Sequence, residues 1–160
     1  GGIEPGQSVL IHAGASGVGQ AAIQVAKMGG ASKVIVTAGS DAKCDLCRSL
    51  GADVAVNYNS EKFLDVVKRE TDGKGINLII DLVGQSYWHD NTASAAMEAK
   101  IVLVAAMSGS MIEGFNLRAL LNKRLWVLAT TLRTRDSTYQ GRLRDKFVEV
   151  AMQNLKDEKS

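Results

Sequence analysis

A short segment near the N-terminus combines small residues in a spacing suited to binding a phosphate group. Residues 12–19 read HAGASGVG, which places Gly14, Ser16, Gly17 and Gly19 between an apolar run and a helical pattern. Small residues let a pyrophosphate approach backbone N–H groups at the positive end of a helix. Read strictly, the spelling is G-x-S-x-x-G, with Ser16 where the usual dinucleotide fingerprint has its second glycine. The segment predicts a dinucleotide-phosphate loop, and the alternative is a tight turn that binds nothing.

A second set of candidate residues follows the next apolar run and favours NADPH over NADH. An NAD-specific site usually places Asp or Glu about 20 residues beyond the glycine loop, where the carboxylate binds the ribose 2′-hydroxyl. Here residues 34–38 are followed by Ser40, and the first carboxylate is Asp41. Ser40, Lys43 and Tyr58 offer hydroxyl groups and a positive charge for a 2′-phosphate. The alternatives are that Ser40 only caps a helix, that Lys43 is solvated and that an inward Asp41 favours NADH.

The other residues of chemically reactive types are better explained by structural roles. Cys44 and Cys47 spell C-x-x-C, but a zinc site needs a second pair of ligands and a redox motif needs a thioredoxin-like helix start. His12 ends an apolar run, which is more typical of a core histidine than of a catalytic base. Ser16 lacks the G-x-S-x-G elbow of hydrolases. We therefore predict no catalytic residue and no metal site in this sequence.

The elements that must position these residues alternate between strand and helix. Six apolar runs typical of buried strands lie at residues 8–13, 34–38, 54–57, 76–81, 101–104 and 125–129. Parallel strands need crossovers of a dozen or more residues, which the intervening helical patterns supply. We predict an α/β, Rossmann-type, doubly wound fold with a six-stranded, mostly parallel sheet and helices on both faces. The expected strand order is 3-2-1-4-5-6, with a ligand crevice above the carboxyl ends of strands 1 and 4.

Local signals predict where several helices begin and end. Ser40 and Ser60 are expected to cap two of them, because serine accepts a hydrogen bond from the first helical turn. A further helix is expected over residues 87–99, directly before the fifth strand. A long amphipathic helix is expected over residues 138–155.

Composition excludes several classes of protein. The 160 residues are 46% apolar with a net charge of +2, which is typical of one globular domain and not of a nucleic-acid or membrane-surface protein. The longest apolar runs, such as residues 101–107, are shorter than the roughly 18 residues that a membrane span needs. Two cysteines are too few for a disulfide framework and match a reducing compartment. We expect a cytoplasmic protein without nucleic-acid or membrane partners.

Several spaced motifs together resemble the medium-chain dehydrogenase/reductase superfamily. They lie at residues 9–19, 37–43, 50–52, 57–58 and 81–84, and the similarity continues through residues 86–88 and 132–136. The quinone oxidoreductase (zeta-crystallin-like) branch matches best. The resemblance implies hydride transfer from NADPH (NADP+) to a quinone or activated carbonyl, with an enone or enoyl thioester as the alternative substrate class.

The resemblance also implies which residues contact the cofactor. From the pyrophosphate through the 2′-phosphate to the nicotinamide end, these are Gly14, Ser16, Gly17, Val18 and Gly19, then Ser40, Lys43 and Tyr58, then Val83 and Gly84, and finally Met107 and Ser108.

Enzymes of this kind carry a GroES-like catalytic domain ahead of the coenzyme-binding domain. We therefore expect residues 1–160 to be an excised NADP(H)-binding domain without that N-terminal domain, with little turnover alone. An apolar edge strand at residues 125–129 is expected to pair with its copy in a homodimer. The alternative to an enzyme is a non-catalytic nucleotide-sensing or RNA-binding module. The small net charge and few aromatic residues make RNA the weaker idea.

Overall fold

Strands and helices alternate along the chain. The computed structural model describes the backbone of residues 3–157 and the side chains of residues 3–152. The elements in chain order are β1 (Ser8–Ile11), α1 (Gly17–Met28), β2 (Lys33–Ala38), α2 (Asp41–Ser49), β3 (Val54–Asn57), α3 (Phe63–Glu70), β4 (Ile76–Asp81), a 3-10 turn (Gln85–Tyr87), α4 (Trp88–Ser94), β5 (Ala95–Leu103), α5 (Leu117–Lys123), β6 (Trp126–Ala129) and α6 (Ser137–Asp157). The chain divides into two units, residues 1–129 and residues 130–160, and α6 belongs to the second.

The six strands form one sheet in the order β3-β2-β1-β4-β5-β6. Every neighbouring pair is parallel. The predicted doubly wound α/β fold and its strand order are therefore confirmed. The order reverses between β1 and β4, which is where a ligand crevice is expected in such a sheet.

Each face of the sheet carries its own apolar layer. Val9 and Ile11 of β1 pack with residues of α1 and α2 on one face, whereas Leu10 packs with α3 and α4 on the other. These three side chains are fully buried. Because strand side chains alternate between faces, helices on both sides are needed to cover runs that are apolar throughout. The sheet is thereby fixed as a rigid platform whose carboxyl edge carries the loops.

Serine caps begin the first two helices. Ser16 Oγ accepts a hydrogen bond from Gly19 N at 3.0 Å, and Ser40 Oγ accepts one from Lys43 N at 3.3 Å. The predicted Ser40 cap is confirmed. The predicted Ser60 cap is wrong, because Ser60 N donates to the Asn57 carbonyl in a turn and α3 begins at Phe63.

The helix predicted over residues 87–99 is wrong beyond Ser94. β5 begins at Ala95 and pairs with β4, with an irregularity in register that includes Glu98 at φ 60°. Lys123 Nζ donates to the carbonyls of Thr92, Ala93 and Ala95 at 2.8–2.9 Å. These bonds close the end of α4, so tertiary contacts outweigh the helix propensity of residues 95–100.

The last strand of the sheet is exposed. β6 pairs with β5 alone among the described strands, and Trp126 is 60% exposed. The predicted C-terminal helix is confirmed as α6, which begins at Ser137 and ends at Asp157. Among the described residues, no helix has the length and apolar content to cross a membrane.

Candidate cofactor-binding site

A cleft of about 450 Å³ opens at the carboxyl edge of the sheet. We call it the carboxyl-end cleft. The residues that line it come from the end of β2, from the segments after β1, β2, β3, β4 and β5, and from the first turn of α2. They are Ala13, Ala15, Ser16, Thr37, Ala38, Gly39, Lys43, Tyr58, Val83, Ser86, Tyr87, Met107 and Ser108. Its volume is in the range usual for small-molecule sites, about 300–1,000 Å³.

The cleft brings together half of the residues predicted from the sequence. Those that line it are Ser16, Lys43, Tyr58, Val83, Met107 and Ser108. Those that lie in the same loops without lining it are Gly14, Gly17, Val18, Gly19, Ser40 and Gly84. Tyr87 and Thr37 also line the cleft but were not among the predicted site residues. Thr37 lies at the carboxyl end of a predicted strand, and Tyr87 lies in the segment that follows another, which was the available signal.

The glycine loop presents two free backbone amides. The N–H groups of Gly17 and Val18 begin α1, and neither bonds to any described residue. Apart from its chain neighbours and the backbone of α1 itself, no described atom lies within 4 Å of the position that a Cβ at Gly17 would occupy. An anion can therefore approach the first turn of α1, where the helix dipole favours negative charge.

Two other glycines of the loop are required by packing. A Cβ at Gly19 would lie 2.7 Å from Gly14 Cα, and one at Gly14 would lie 3.0 Å from Cys47 Sγ. Gly14 N also donates to the Thr37 carbonyl at 2.9 Å, which fixes the loop to the end of β2. Ser16 fits because its hydroxyl caps α1, so the departure from the usual fingerprint has a structural reason.

The corner after β2 presents a lysine to the cleft, beside a hydrogen-bonded carboxylate that does not line it. Lys43 is exposed and, among residues 3–152, its ammonium group has no ion-pair partner. The carboxylate of Asp41 instead accepts a hydrogen bond from Asn57 Nδ2 at 2.8 Å, and Asp41 does not line the cleft. The tip of Tyr58 lies against Gly39, where a Cβ would be 2.5 Å from the Tyr58 hydroxyl.

Two loops form the opposite side of the cleft and are bonded to each other. Ser108 Oγ donates to the Val83 carbonyl at 2.8 Å and accepts a hydrogen bond from Ser86 N at 3.0 Å. Gly84 adopts φ +85°, and a Cβ there would lie 2.9 Å from the Gly109 carbonyl. Ser108 therefore joins the loop after β4 to the loop after β5. The neighbouring Met107 is 74% exposed.

His12 lies beneath the cleft and is fully buried. Its Nδ1 contacts Thr37 Oγ1 at 3.0 Å and its Nε2 contacts Asn91 Oδ1 at 2.6 Å, so the prediction of a core histidine is confirmed. Burial lowers the pKa of His12 below 6.5. The ring of Tyr87 packs on His12 with centroids 4.7 Å apart, and burial raises the pKa of the Tyr87 phenol.

The fold and the place of the cleft at the strand-order reversal define a dinucleotide-binding domain. Residues 17–149 match the family model described as zinc-binding dehydrogenase, and the chain belongs to this family. The expected membership of the medium-chain dehydrogenase/reductase superfamily is thereby confirmed.

Individual relatives agree with this assignment. Over 109 residues the chain is 39% identical to quinone oxidoreductase-like protein 2 of Rattus norvegicus, covering 68% of this chain and 31% of the rat protein. The structure of Escherichia coli quinone oxidoreductase complexed with NADPH matches with a TM-score of 0.76 and 31% identity, covering 94% of this chain and 44% of that one. The structure of CurK enoyl reductase matches with a TM-score of 0.79 and 25% identity, covering 95% and 45%. The chain is a domain of the oxidoreductase type and spans less than half of each relative.

The described residues do not fit the zinc of the family description. Among them, no group of three or more His, Cys, Asp and Glu side chains could hold a metal ion. Cys44 and Cys47 are buried free thiols on the side of α2 that faces the sheet, and burial raises the pKa of both. Structural zinc sites need four ligands and catalytic sites three. The described residues therefore provide no set of zinc ligands.

Proposed function

We propose that this chain is the coenzyme-binding domain of an NADPH-dependent oxidoreductase that reduces quinones or activated carbonyls. The observation that carries the proposal is the charge of the carboxyl-end cleft. Among the described residues that line it, Lys43 is a cation and none is Asp or Glu. The cleft therefore suits a ligand with several negative charges, such as a dinucleotide with a 2′-phosphate.

Separate features of the cleft match separate parts of NADPH. The free amides of Gly17 and Val18 suit the pyrophosphate. Lys43 and the hydroxyl of Tyr58 suit the 2′-phosphate, which carries up to two negative charges. With Asp41 bonded to Asn57, no carboxylate repels that phosphate from within the cleft. This arrangement supports NADPH over NADH.

When bound, the cofactor supplies a hydride from its nicotinamide ring, and the domain supplies binding and orientation. The loop at Met107 and Ser108 lies across the cleft from Lys43 and supports the part of the cofactor beyond the adenosine. Gly17, Val18 and Lys43 anchor the phosphates. We assign no proton transfer to any residue of this chain.

The binding test is calorimetric titration of the full 160-residue chain with NADPH, NADH and 2′,5′-ADP. We expect NADPH to bind at least roughly 10-fold more tightly than NADH, a difference of about 1.4 kcal/mol. 2′,5′-ADP should compete with NADPH. Equal affinity for the two dinucleotides would remove the specificity, and binding of neither would remove the proposed function.

The substrate is proposed from the relatives. The names of the rat and E. coli proteins support a quinone, whereas the CurK neighbour supports an enoyl thioester as the alternative. The whole protein is proposed to contain a GroES-like domain that completes the substrate pocket. Consumption of NADPH by the whole protein, measured with a quinone and with an enoyl thioester, distinguishes the two substrate classes.

The proposal includes a homodimer formed through β6 and a cytoplasmic location. The exposed Trp126 supports the dimer, because it lies on β6, which pairs with β5 alone among the described strands, and such sheet edges pair readily with a second strand. The free thiols of Cys44 and Cys47 support a reducing compartment. Size-exclusion chromatography with light scattering tests the dimer, and a monomer across the concentration range would contradict it.

A further inference from the structure

Four buried polar side chains lie in a line beneath the carboxyl-end cleft. Thr37, His12, Asn91 and Asp81 come from β2, the loop after β1, α4 and β4, and each is completely buried. Thr37 Oγ1 and His12 Nδ1 are 3.0 Å apart, His12 Nε2 and Asn91 Oδ1 are 2.6 Å apart, and Asn91 Nδ2 and Asp81 Oδ2 are 3.1 Å apart. We call these four residues the His12 network.

The hydrogen-bond directions in the network follow from its acidic end. Asp81 Oδ1 accepts from Val83 N at 2.7 Å and from Gly84 N at 3.1 Å, so its carboxylate acts as an acceptor. Asn91 must then donate its amide N–H to Asp81 and present its oxygen to His12. His12 therefore carries its proton on Nε2, and its Nδ1 accepts the Thr37 hydroxyl proton. Every member has a partner, as buried polar groups require.

Both ends of the network reach backbone that borders the cleft. Asp81 holds the turn at Val83 and Gly84 through two backbone amides. At the other end, the carbonyl of Thr37 accepts a hydrogen bond from Gly14 N of the glycine loop. His12, Asn91 and Asp81 do not line the cleft, so they influence a ligand only through their neighbours.

The network also positions an aromatic wall. The His12 ring packs against Tyr87 at 4.7 Å and Phe63 at 4.8 Å between centroids, and those two rings lie 4.9 Å apart. Tyr87 and Val83 both line the cleft. A flat ring inserted into the cleft can pack on this wall, because aromatic rings favour offset and edge contacts.

We propose that the His12 network is a positioning device that sets the Val83–Tyr87 wall for the adenine ring of the cofactor. This inference rests on the proposed function. Adenine is attached to the same ribose as the 2′-phosphate, so a phosphate at Lys43 brings the adenine into the same cleft. The network fixes the wall from below, through Asp81 on the Val83 turn and through His12 on the Tyr87 ring.

The adenine ring is common to NADPH and NADH, which gives the test a distinct signature. Asn91→Leu and His12→Leu should each weaken both dinucleotides by the same factor, about 5-fold or more, with the ratio of their affinities unchanged. Loss of the 2′-phosphate contact would change that ratio instead. Calorimetry well below each variant's melting temperature measures both affinities. Wild-type affinity for both dinucleotides in a folded leucine variant would overturn the inference, as would a changed ratio.

Two further variants separate positioning from general stability. His12→Gln retains a side-chain N–H donor and should recover most of the affinity lost in His12→Leu. Asn77 bonds to Ser8 at the amino end of β4, so Asn77→Leu should lower the melting temperature and leave both dissociation constants unchanged. If Asn77→Leu lost as much affinity as Asn91→Leu, the positioning role of the network would be overturned and only a general structural role would remain.

A milder change covers the case in which the leucine variants do not fold. Thr37→Val removes one hydroxyl from the end of the network, and we expect both affinities to fall about 2-fold to 3-fold with their ratio unchanged. Unaltered affinities in Thr37→Val would then overturn the inference. If the wild-type chain binds neither dinucleotide, both the proposed function and the inference are overturned. If the wild type binds and the folded variants bind with the same affinities, only the role of the His12 network is overturned.

Discussion

The two edges of the sheet each carry a cleft of similar size but of different chemistry. The carboxyl-end cleft has a volume of about 450 Å³, and an amino-end cleft near Ser8, Lys33, Glu70 and Asn77 has about 480 Å³. At the amino end, Lys33 Nζ lies 3.0 Å from Glu70 Oε2 and Asn77 bonds to Ser8. At the carboxyl end, Lys43 and the Gly17 and Val18 amides have no such partners among the described residues. Among the described residues, Glu70 and Asp72 line the amino-end cleft and no carboxylate lines the carboxyl-end cleft, so charge rather than volume distinguishes the candidate site.

The difference follows from how parallel strands and helices are connected. The amino ends of the helices face the carboxyl edge of the sheet, which concentrates free N–H groups there. At the opposite edge Glu70 and Asp72 line the cleft beside Lys33 and Lys74, so an anion would meet carboxylates as well as cations. The predictions below test whether this contrast decides binding.

The largest effect is expected from Gly19→Ala in the glycine loop. The added Cβ would lie 2.7 Å from Gly14 Cα and would force open the turn that presents the Gly17 and Val18 amides. We expect NADPH affinity to fall roughly 100-fold and the free energy of unfolding to fall by about 1–3 kcal/mol. Calorimetry and urea denaturation measure the two effects.

Gly17→Ala is the matched control, because its added Cβ would have no described atom within 4 Å apart from its chain neighbours and the backbone of α1 itself. We expect the free energy of unfolding of this variant to stay within about 0.5 kcal/mol of wild type. Wild-type affinity in Gly19→Ala would show that the loop geometry does not determine binding.

The second-largest effect is expected from replacing a lysine at the carboxyl edge of the sheet, and a lysine at the amino edge provides the comparison. Lys43→Ala should weaken NADPH about 10-fold with no change for NADH, because only NADPH carries the 2′-phosphate. Lys74→Ala removes the same charge beside the amino-end cleft and should leave both affinities unchanged. Titrations with both dinucleotides at one ionic strength make the comparison. Equal losses in the two variants would indicate long-range attraction rather than a contact.

A third prediction concerns acid stability at the carboxyl edge. Burial lowers the pKa of His12 below its unfolded value of 6.5, so the unfolded chain binds this proton more readily. Stability is therefore full above pH 6.5 and falls as the pH decreases towards the folded pKa, by at most about 1.4 kcal/mol per pH unit. Urea denaturation between about pH 5 and about pH 8 measures the slope. His12→Gln should reduce it, and an identical slope in that variant would exclude His12 as its source.

The smallest effect is expected at the amino edge. The hydrogen bond from Lys33 lowers the pKa of Glu70 below 4.5. The Lys33–Glu70 pair therefore contributes to stability above the unfolded pKa of Glu70, and this contribution is lost as the pH falls towards the folded pKa. The pair is partly exposed, so the loss should be small and should shrink further in high salt. Denaturation of Glu70→Gln and wild type between acid and neutral pH checks this, and an equal acid response in both would contradict it.

The sequence predicted the sheet and its loops because those features depend on local patterns. Short apolar runs separated by helical periodicity imply parallel strands and crossovers, and the glycine loop lies between β1 and α1 as expected. The boundary at Ser94 could not be predicted locally, because it depends on Lys123 reaching back to α4. The start of α3 at Phe63 likewise depends on the turn around Asn57.

Individual contacts in the site were predicted less completely than its location. Lys43 and Tyr58 were found because charge and hydroxyl groups after a strand have a recognisable chemistry. Asn91 was missed because its partner His12 is 79 residues away in sequence, and no local pattern connects a helix amide to a strand-end histidine. Tyr87 was named only as part of a motif, since its place against His12 depends on three packed rings.

The three carbonyl bonds made by Lys123 set a minimum length for any fragment that keeps this site. A protein shortened at residue 116 would retain all of the cleft lining, yet the last turn of α4 would lose its ammonium cap. Since α4 carries Asn91, such a truncation would weaken the His12 network that packs against Tyr87, although none of the removed residues that the structure describes lines the cleft. A domain boundary for expression or for fusion to another protein therefore belongs beyond α5, even though α5 contributes nothing to the lining.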